Sequence, residues 1–391
     1  MANITTIGEG RNKKYKLTYE CKKNDGKRHR KSITFPIGTP KSQVEEIKRK
    51  VEIEYKTGKF EIPDITFGEF ASEVYLKEYT RNLSVTTLSN YESLLFNDKE
   101  YSLVNYFGDY NLKNISRFDV QKYSNLLAQN VSPKTVRSYV MFLHKLFEIA
   151  KISGFVDFLS GNSPIDDILL PPKKQVKPTT AYTLEEVKVL LELAKDNLIS
   201  LTIIGLGGLA GLRRGEMAGL KWQNVFLDES QPYIKISENR VSVSKVVYVK
   251  GPKSQAGYRD IPIPQGLAEI LRQRKLEYLE HKLSNPQFKD EGYIISKPDG
   301  TPYAPDGIST NYRRLVEKTD VNFPKLTLHM LRHTYASLLI NQGANFKVVQ
   351  SNMGHSDIYQ TLMIYSHVYD SSKDTEAQKL NEIVFESKKI G

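Results

Sequence analysis

Apolar side chains recur along this chain with different periods, and the changes of period mark out its parts. Residues 14–21 alternate Tyr15, Leu17 and Tyr19 with basic or polar neighbours. That period of two predicts a strand with one face on a core and the other left free. Asn24-Asp25-Gly26 offers a hairpin turn, with Gly26 free to take positive φ. A second strand follows over residues 28–35, basic at its start and apolar at Ile33 and Phe35. Thr39 and Pro40 then read as the N-cap and first position of a helix that carries Val44, Ile47 and Val51 on one face.

Residues 64–165 switch to a helical period. Phe67, Phe70 and Val74 line one predicted helix, and Leu88, Tyr91, Leu94 and Leu95 line a second over residues 85–96. Ser132 and Pro133 open a third, whose stripe is Val136, Val140, Leu143 and Phe147 while Lys134, Arg137 and Lys145 point elsewhere. Periodicity is lost from Leu170 to Pro178, a proline-rich, charged stretch that predicts a linker. Beyond it, Thr183 and Glu186 form a capping box ahead of Val187, Leu190, Leu191 and Ala194. Gly205, Gly207, Gly208 and Gly211 lie in one apolar run; no Gly-Lys-Ser/Thr closes it, so close helix packing and a turn at Gly211 are expected rather than a phosphate loop. Between 233 and 263 the period returns to two, and residues 250–257 read as a hairpin loop. The whole predicts a multidomain α+β chain. It has a small sheet-plus-helix module at 1–62, a helical domain at 63–170, and a mainly α domain with a small antiparallel sheet at 171–391.

Charge sharpens this division. The first 60 residues hold 16 Lys and Arg against 7 Asp and Glu, whereas the other 331 hold 40 against 38. A net charge of +9 concentrated in one small ordered module predicts a polyanionic partner, and strands bearing Lys14, Lys16, Arg28, Arg30 and Lys31 suit duplex DNA. Lys134 and Arg137 extend the expected DNA-facing surface onto the helical domain. No apolar run approaches the roughly 18 residues of a membrane span, and residues 1–11 lack a signal-peptide core, so a cytoplasmic location is expected. The single cysteine, Cys21, excludes an intramolecular disulfide framework.

Candidate chemistry gathers in the last part. Arg213 and Arg214 follow the Gly211 turn, with Glu216 three residues past Arg213, near enough on one helical face to orient its guanidinium. Lys253 occupies the tip of the loop at 250–257. His329 and Arg332 share a helix face; His329 and His333 have the spacing of a zinc pair, but Met330 stands where a metalloprotease needs Glu. His355 precedes Tyr365 by ten residues. Arginines and imidazoles clamp a phosphate, and a hydroxyl can attack it.

Gly-Leu-Arg-Arg-Gly-Glu at 211–216, Leu-His-Met-Leu-Arg-His at 328–333, and Gly-His-Ser-Asp with Ile-Tyr-Ser-His at 354–367 resemble the three signature boxes of the tyrosine recombinases, the phage integrase family. Pro252-Lys253 falls where that family has its β-hairpin lysine, and the likeness runs from about residue 66 to 370. Met353 and Met330 depart from the usual residues without removing a catalytic group. The resemblance implies a site-specific recombinase that cuts and rejoins DNA through a 3′-phosphotyrosine, integrating and excising a mobile element. It implies Tyr365 as nucleophile, Arg213, Arg332 and His355 as donors to the phosphate, Lys253 as general acid and His329 as an aid to proton transfer. Tyr365 is preferred to Tyr359 and Tyr369 because it alone fits the Tyr-x-His box. Neither metal nor nucleotide cofactor is implied. The partners implied are duplex core and arm sites, three further copies of the chain and room for an accessory excision factor. Residues 1–62 resemble arm-binding modules, and the apolar stripe Ala377, Leu380, Ile383 and Val384 resembles a tail helix that docks in cis or on a neighbour. A type IB topoisomerase-like nicking enzyme and a catalytically idle DNA-binding regulator are the alternatives.

Overall fold

The computed structural model describes residues 2–8, 13–22, 28–35, 39–57, 63–156, 163–172, 181–252 and 255–354, excepting the side chains of 20–22, 28, 29, 31, 43, 50 and 53–57. The chain divides into two compact units, Met1–Gln175 and Val176–Gly391. The turn at Asn24-Asp25-Gly26, the linker beyond Pro172, Lys253, His355, Tyr365 and the tail all lie outside the described residues.

In the first unit, strands β1 (Ala2–Ile7), β2 (Lys14–Lys22) and β3 (Arg28–Thr34) form an antiparallel sheet in sequence order, followed by helix α1 (Lys41–Thr57). Leu17 and Tyr19 are buried with Phe35 and with Val44, Ile47 and Val51 of α1, the side chains whose spacing predicted this face. Strand β1 was not expected; it pairs with β2 from Ala2↔Tyr19 to Ile7↔Lys14. In the register, Lys14, Lys16, Arg28 and Arg30 alternate with the buried positions and share the outer face. Lys31 pairs with Tyr19, in step with the Ile33↔Leu17 pair, so the register separates it from the other four.

The rest of this unit is helical. Thr66 caps α2 (Phe67–Glu69) in a capping box with Glu69, and the turns continue through a π segment (Phe70–Tyr75) into α3 (Leu76–Glu78). Then come α4 (Val85–Phe96), α5 (Leu103–Phe107), α6 (Arg117–Asn130) and α7 (Pro133–Ile152). Ser132 accepts the N–H of Thr135 and Pro133 begins α7, as its sequence dictates. Val136, Val140, Leu143 and Phe147 are buried on that helix, while Ile152 at its end joins the core of the N-terminal sheet. Lys134 is exposed. Arg137 is partly buried, its guanidinium donating to Pro133 O at 3.2 Å and Pro171 O at 2.7 Å.

The second unit is mainly α with small antiparallel sheets. Its elements are α8 (Leu184–Ala194), α9 (Leu198–Gly208), α10 (Arg214–Gly219), β4 (Val225–Phe226), β5 (Tyr233–Ile236), β6 (Asn239–Val243), β7 (Val246–Lys250), β8 (Arg259–Pro262), α11 (Gln265–Ser284), α12 (Pro305–Val316), α13 (Leu328–Asn341) and α14 (Phe346–Met353). Helix α9 is buried along Ser200–Gly208. A Cβ on Gly207 would stand 3.0 Å from Leu331 of α13, so the glycine lets the two helices meet. Strands β4-β5-β8 form one sheet and β6-β7 a separate ribbon. Here the structure corrects the expected hairpin. The tight turn is at Ser244 and Lys245, both at positive φ, and β7 pairs with β6. Residues 250–257 instead lead from the ribbon to β8 of the other sheet.

Candidate active site

The geometry starts at Gly211. Its φ of +67° and the side chain of Tyr335, 2.4 Å from where a Cβ would sit, admit only glycine. The turn ends α9 and sets Arg213 at the N-cap of α10, not within the helix. From there Glu216, at the third helical position, accepts the Arg213 backbone N–H at 2.9 Å and the Arg213 Nη1 at 2.7 Å. The expected pairing is therefore present, but through a cap and not a shared helix face.

Glu216 is 4 % exposed and gathers two further arginines. Arg259, on β8, donates Nη1 to Oε1 at 3.1 Å and Nη2 to Oε2 at 2.9 Å. Arg332 Nη1 lies 3.9 Å from Oε2. Burial works against the Glu216 charge, yet the Arg259 hydrogen bonds and the charges of Arg259, Arg213 and Arg332 hold its carboxyl down at about 2. Burial, then the neighbouring Arg213, press Arg332 below the usual arginine range.

The same three arginines cap the end of α14. Arg259 Nε donates to Asn352 O at 2.6 Å, Arg332 Nη2 to Met353 O, and Arg213 Nη2 to Gly354 O at 3.0 Å. Three successive carbonyls that a helix leaves without partners thus each receive a guanidinium. Arg332 also donates to Gly211 O at 2.6 Å, which ties the second box to the turn of the first. His355 follows this cap directly in the chain.

His329 and Arg332 lie one turn apart on α13. The imidazoles of His329 and His333 meet edge to face at 4.8 Å. The protein around His329, then Arg332 and Arg213, push its pKa below the usual histidine value. His333 is driven to about 4 by burial, His329 and Arg332, and among the described residues its Nδ1 has no hydrogen-bond partner. A cavity of about 560 Å³ opens beside His329, with Arg214, Arg313 and Lys325 on its wall. The structure thus brings Arg213, Arg332 and His329 together. Lys253, His355 and Tyr365 are outside the described residues, although Gly257 and Gly354, close to the first two in sequence, flank the cluster.

Arg259 escaped the sequence reading. A signal was present: in Arg259-Asp260-Ile261 the strand period places a cation in step with buried Ile261.

Known proteins carry the same organisation. The phage integrase family pattern matches residues 181–372, and the family's N-terminal SAM-like domain matches residues 66–128. The chain is a tyrosine recombinase of the phage integrase family. It is similar to the ICEBs1 integrase of Bacillus subtilis, 24% identical over 364 residues that cover 90% of this chain and 92% of that one. Among solved structures, the Tn1549 transposon integrase in complex with a circular intermediate DNA superposes with a TM-score of 0.62 at 19% identity, over 81% of this recombinase and 100% of that chain. A lambda integrase tetramer bound to a Holliday junction gives 0.55 at 16% identity, over 88% and 91%. As a family member the chain is a tyrosine-type site-specific recombinase.

Proposed function

We propose that this recombinase integrates and excises a mobile element, with Tyr365 attacking the scissile phosphate to give a 3′-phosphotyrosine and a free 5′-hydroxyl. Attack forms the Tyr365 O–P bond and breaks the bond from phosphorus to the 5′-oxygen. Lys253 gives that oxygen its proton, and His329 takes part in proton transfer at the tyrosine. Arg213, Arg332 and His355 bind the non-bridging oxygens. The bond energy is kept in the phosphotyrosine, and attack by a partner's 5′-hydroxyl rejoins the strands. Two such exchanges pass through a Holliday junction and use four protomers, the assembly named for the lambda integrase structure. Residues 1–62 bind arm sites through Lys14, Lys16, Arg28 and Arg30, residues 63–170 bind the core site with Lys134, and residues 171–391 carry the chemistry.

The observation that carries this reading is the charge of the cluster. Three guanidiniums share one buried carboxylate, Glu216, leaving two net positive charges beside the chain's path to His355. A phosphorane transition state carries two negative charges, so the surplus matches it. The bonds held by Arg137 favour a bracing role for that cation over DNA contact. The test is a nicked suicide duplex bearing the direct repeats that flank the gene, incubated in chelator. A protein–DNA adduct stable to denaturation is expected; its absence would contradict the reading.

A further inference from the structure

Arg259 occupies the centre of the cluster, yet none of the three boxes contains it. It is 5 % exposed at its side chain and meets Glu216 with both terminal nitrogens. Its remaining bonds reach Asn352 O, three residues before His355, and Gly257 O, four residues after Lys253. Arg213, by contrast, is 37 % exposed and shares Glu216 through one guanidinium nitrogen.

Resting on the catalytic reading above, we propose that Arg259 is a positioning residue: it neutralises Glu216, so that Arg213 and Arg332 keep their charge for the scissile phosphate. A bidentate partner takes up part of a carboxylate's charge, so less of it is left to hold a second and third guanidinium. Without Arg259, Glu216 would be buried beside Arg213 and Arg332 alone. It would draw both toward itself, against the pull of the phosphate. The bonds to Asn352 and Gly257 give the same side chain a second effect, fixing the backbone that leads to His355 and the backbone that follows Lys253.

The proposal predicts that Arg259 matters in proportion to the charge developing on the phosphate. A methylphosphonate at the scissile position replaces one non-bridging oxygen with a methyl group and removes one negative charge from both ground and transition states. Covalent trapping is measured on the phosphate and methylphosphonate forms of the suicide duplex, each rate relative to wild type on the same substrate, with binding measured separately. Arg259→Gln should bind the duplex nearly normally and cleave the phosphate roughly 10²-fold more slowly. On the methylphosphonate its defect should shrink to within about tenfold. Arg259→Lys, which keeps the charge, should recover to within about tenfold on both. A folded Arg259→Gln slowed equally on both substrates, or not slowed at all, would overturn the proposal.

Should Arg259→Gln fail to fold, the comparison moves to Glu216→Gln with and without Arg259→Gln. With no carboxylate to neutralise, adding the second change should cost no more than about tenfold, the part that comes from the lost bonds to Asn352 and Gly257. A further loss of about 10²-fold would show that Arg259 acts otherwise. If wild type forms no adduct on either duplex, the recombinase reading of the site falls, and this inference falls with it.

Discussion

Arg213 differs from an ordinary surface arginine in what it is bonded to. One nitrogen of its fork donates to Glu216 and another to Gly354 O. Lysine at this position keeps the charge and loses the planar fork. Arg213→Lys should therefore bind DNA almost as wild type and form the covalent complex roughly 10²–10³-fold more slowly. Near-normal cleavage would remove Arg213 from the clamp. His333 makes a prediction of a different kind. Its folded value of about 4 lies below the 6.5 of a free histidine, so between those values the unfolded chain takes up a proton that the folded chain refuses. The stabilisation is complete above about pH 6.5 and is lost as pH falls towards 4. Wild type should lose melting temperature between pH 7 and 5, and His333→Gln should lose less over the same interval. Equal losses would show that His333 does not titrate in this way.

At the scale of elements, the Gly211 turn holds the site together. Alanine there meets both the positive φ and the ring of Tyr335. Gly211→Ala should destabilise the fold by about 1–3 kcal/mol. Because α10 starts from this turn, cleavage should fall as well, even at temperatures where the variant stays folded. A variant with unchanged melting and unchanged trapping would show that the turn relaxes freely. This turn was legible from sequence because glycine marks it, as Ser132-Pro133 marks the start of α7 and the spacing of Leu88 to Leu95 marks α4. Other features were not legible, for physical reasons. The turn between β6 and β7 uses Ser244 and Lys245 in a conformation that glycine or asparagine usually signals, so the glycine-bearing stretch 250–257 reads as the hairpin loop instead. Strand β1 is specified by pairing with β2 across the intervening residues, which local periodicity does not report. Arg213, Glu216, His329 and Arg332 could be picked out by residue type and spacing. Arg259 could not, because its importance comes from packing against residues far away in the chain.

Across the whole molecule, charge and chemistry are separated. The first 60 residues carry most of the net charge, and the arginines proposed to hold the phosphate belong to the second unit. Removing residues 1–62 should therefore spare covalent cleavage of a core site while impairing recombination between full attachment sites. It should also flatten the fall of DNA affinity with rising salt, since fewer counterions are released on binding. An unchanged salt slope would argue that the module does not touch DNA. The mechanism turns on which side chain becomes joined to DNA. The most direct measurement is proteolysis of the trapped complex followed by mass spectrometry of the nucleotide-bearing peptide. The phosphodiester should be on Tyr365; Tyr365→Phe should trap nothing, whereas Tyr359→Phe and Tyr369→Phe should still form the adduct. A nucleotide found on Tyr359, Tyr369 or any other residue, or an adduct formed by Tyr365→Phe, would contradict the mechanism.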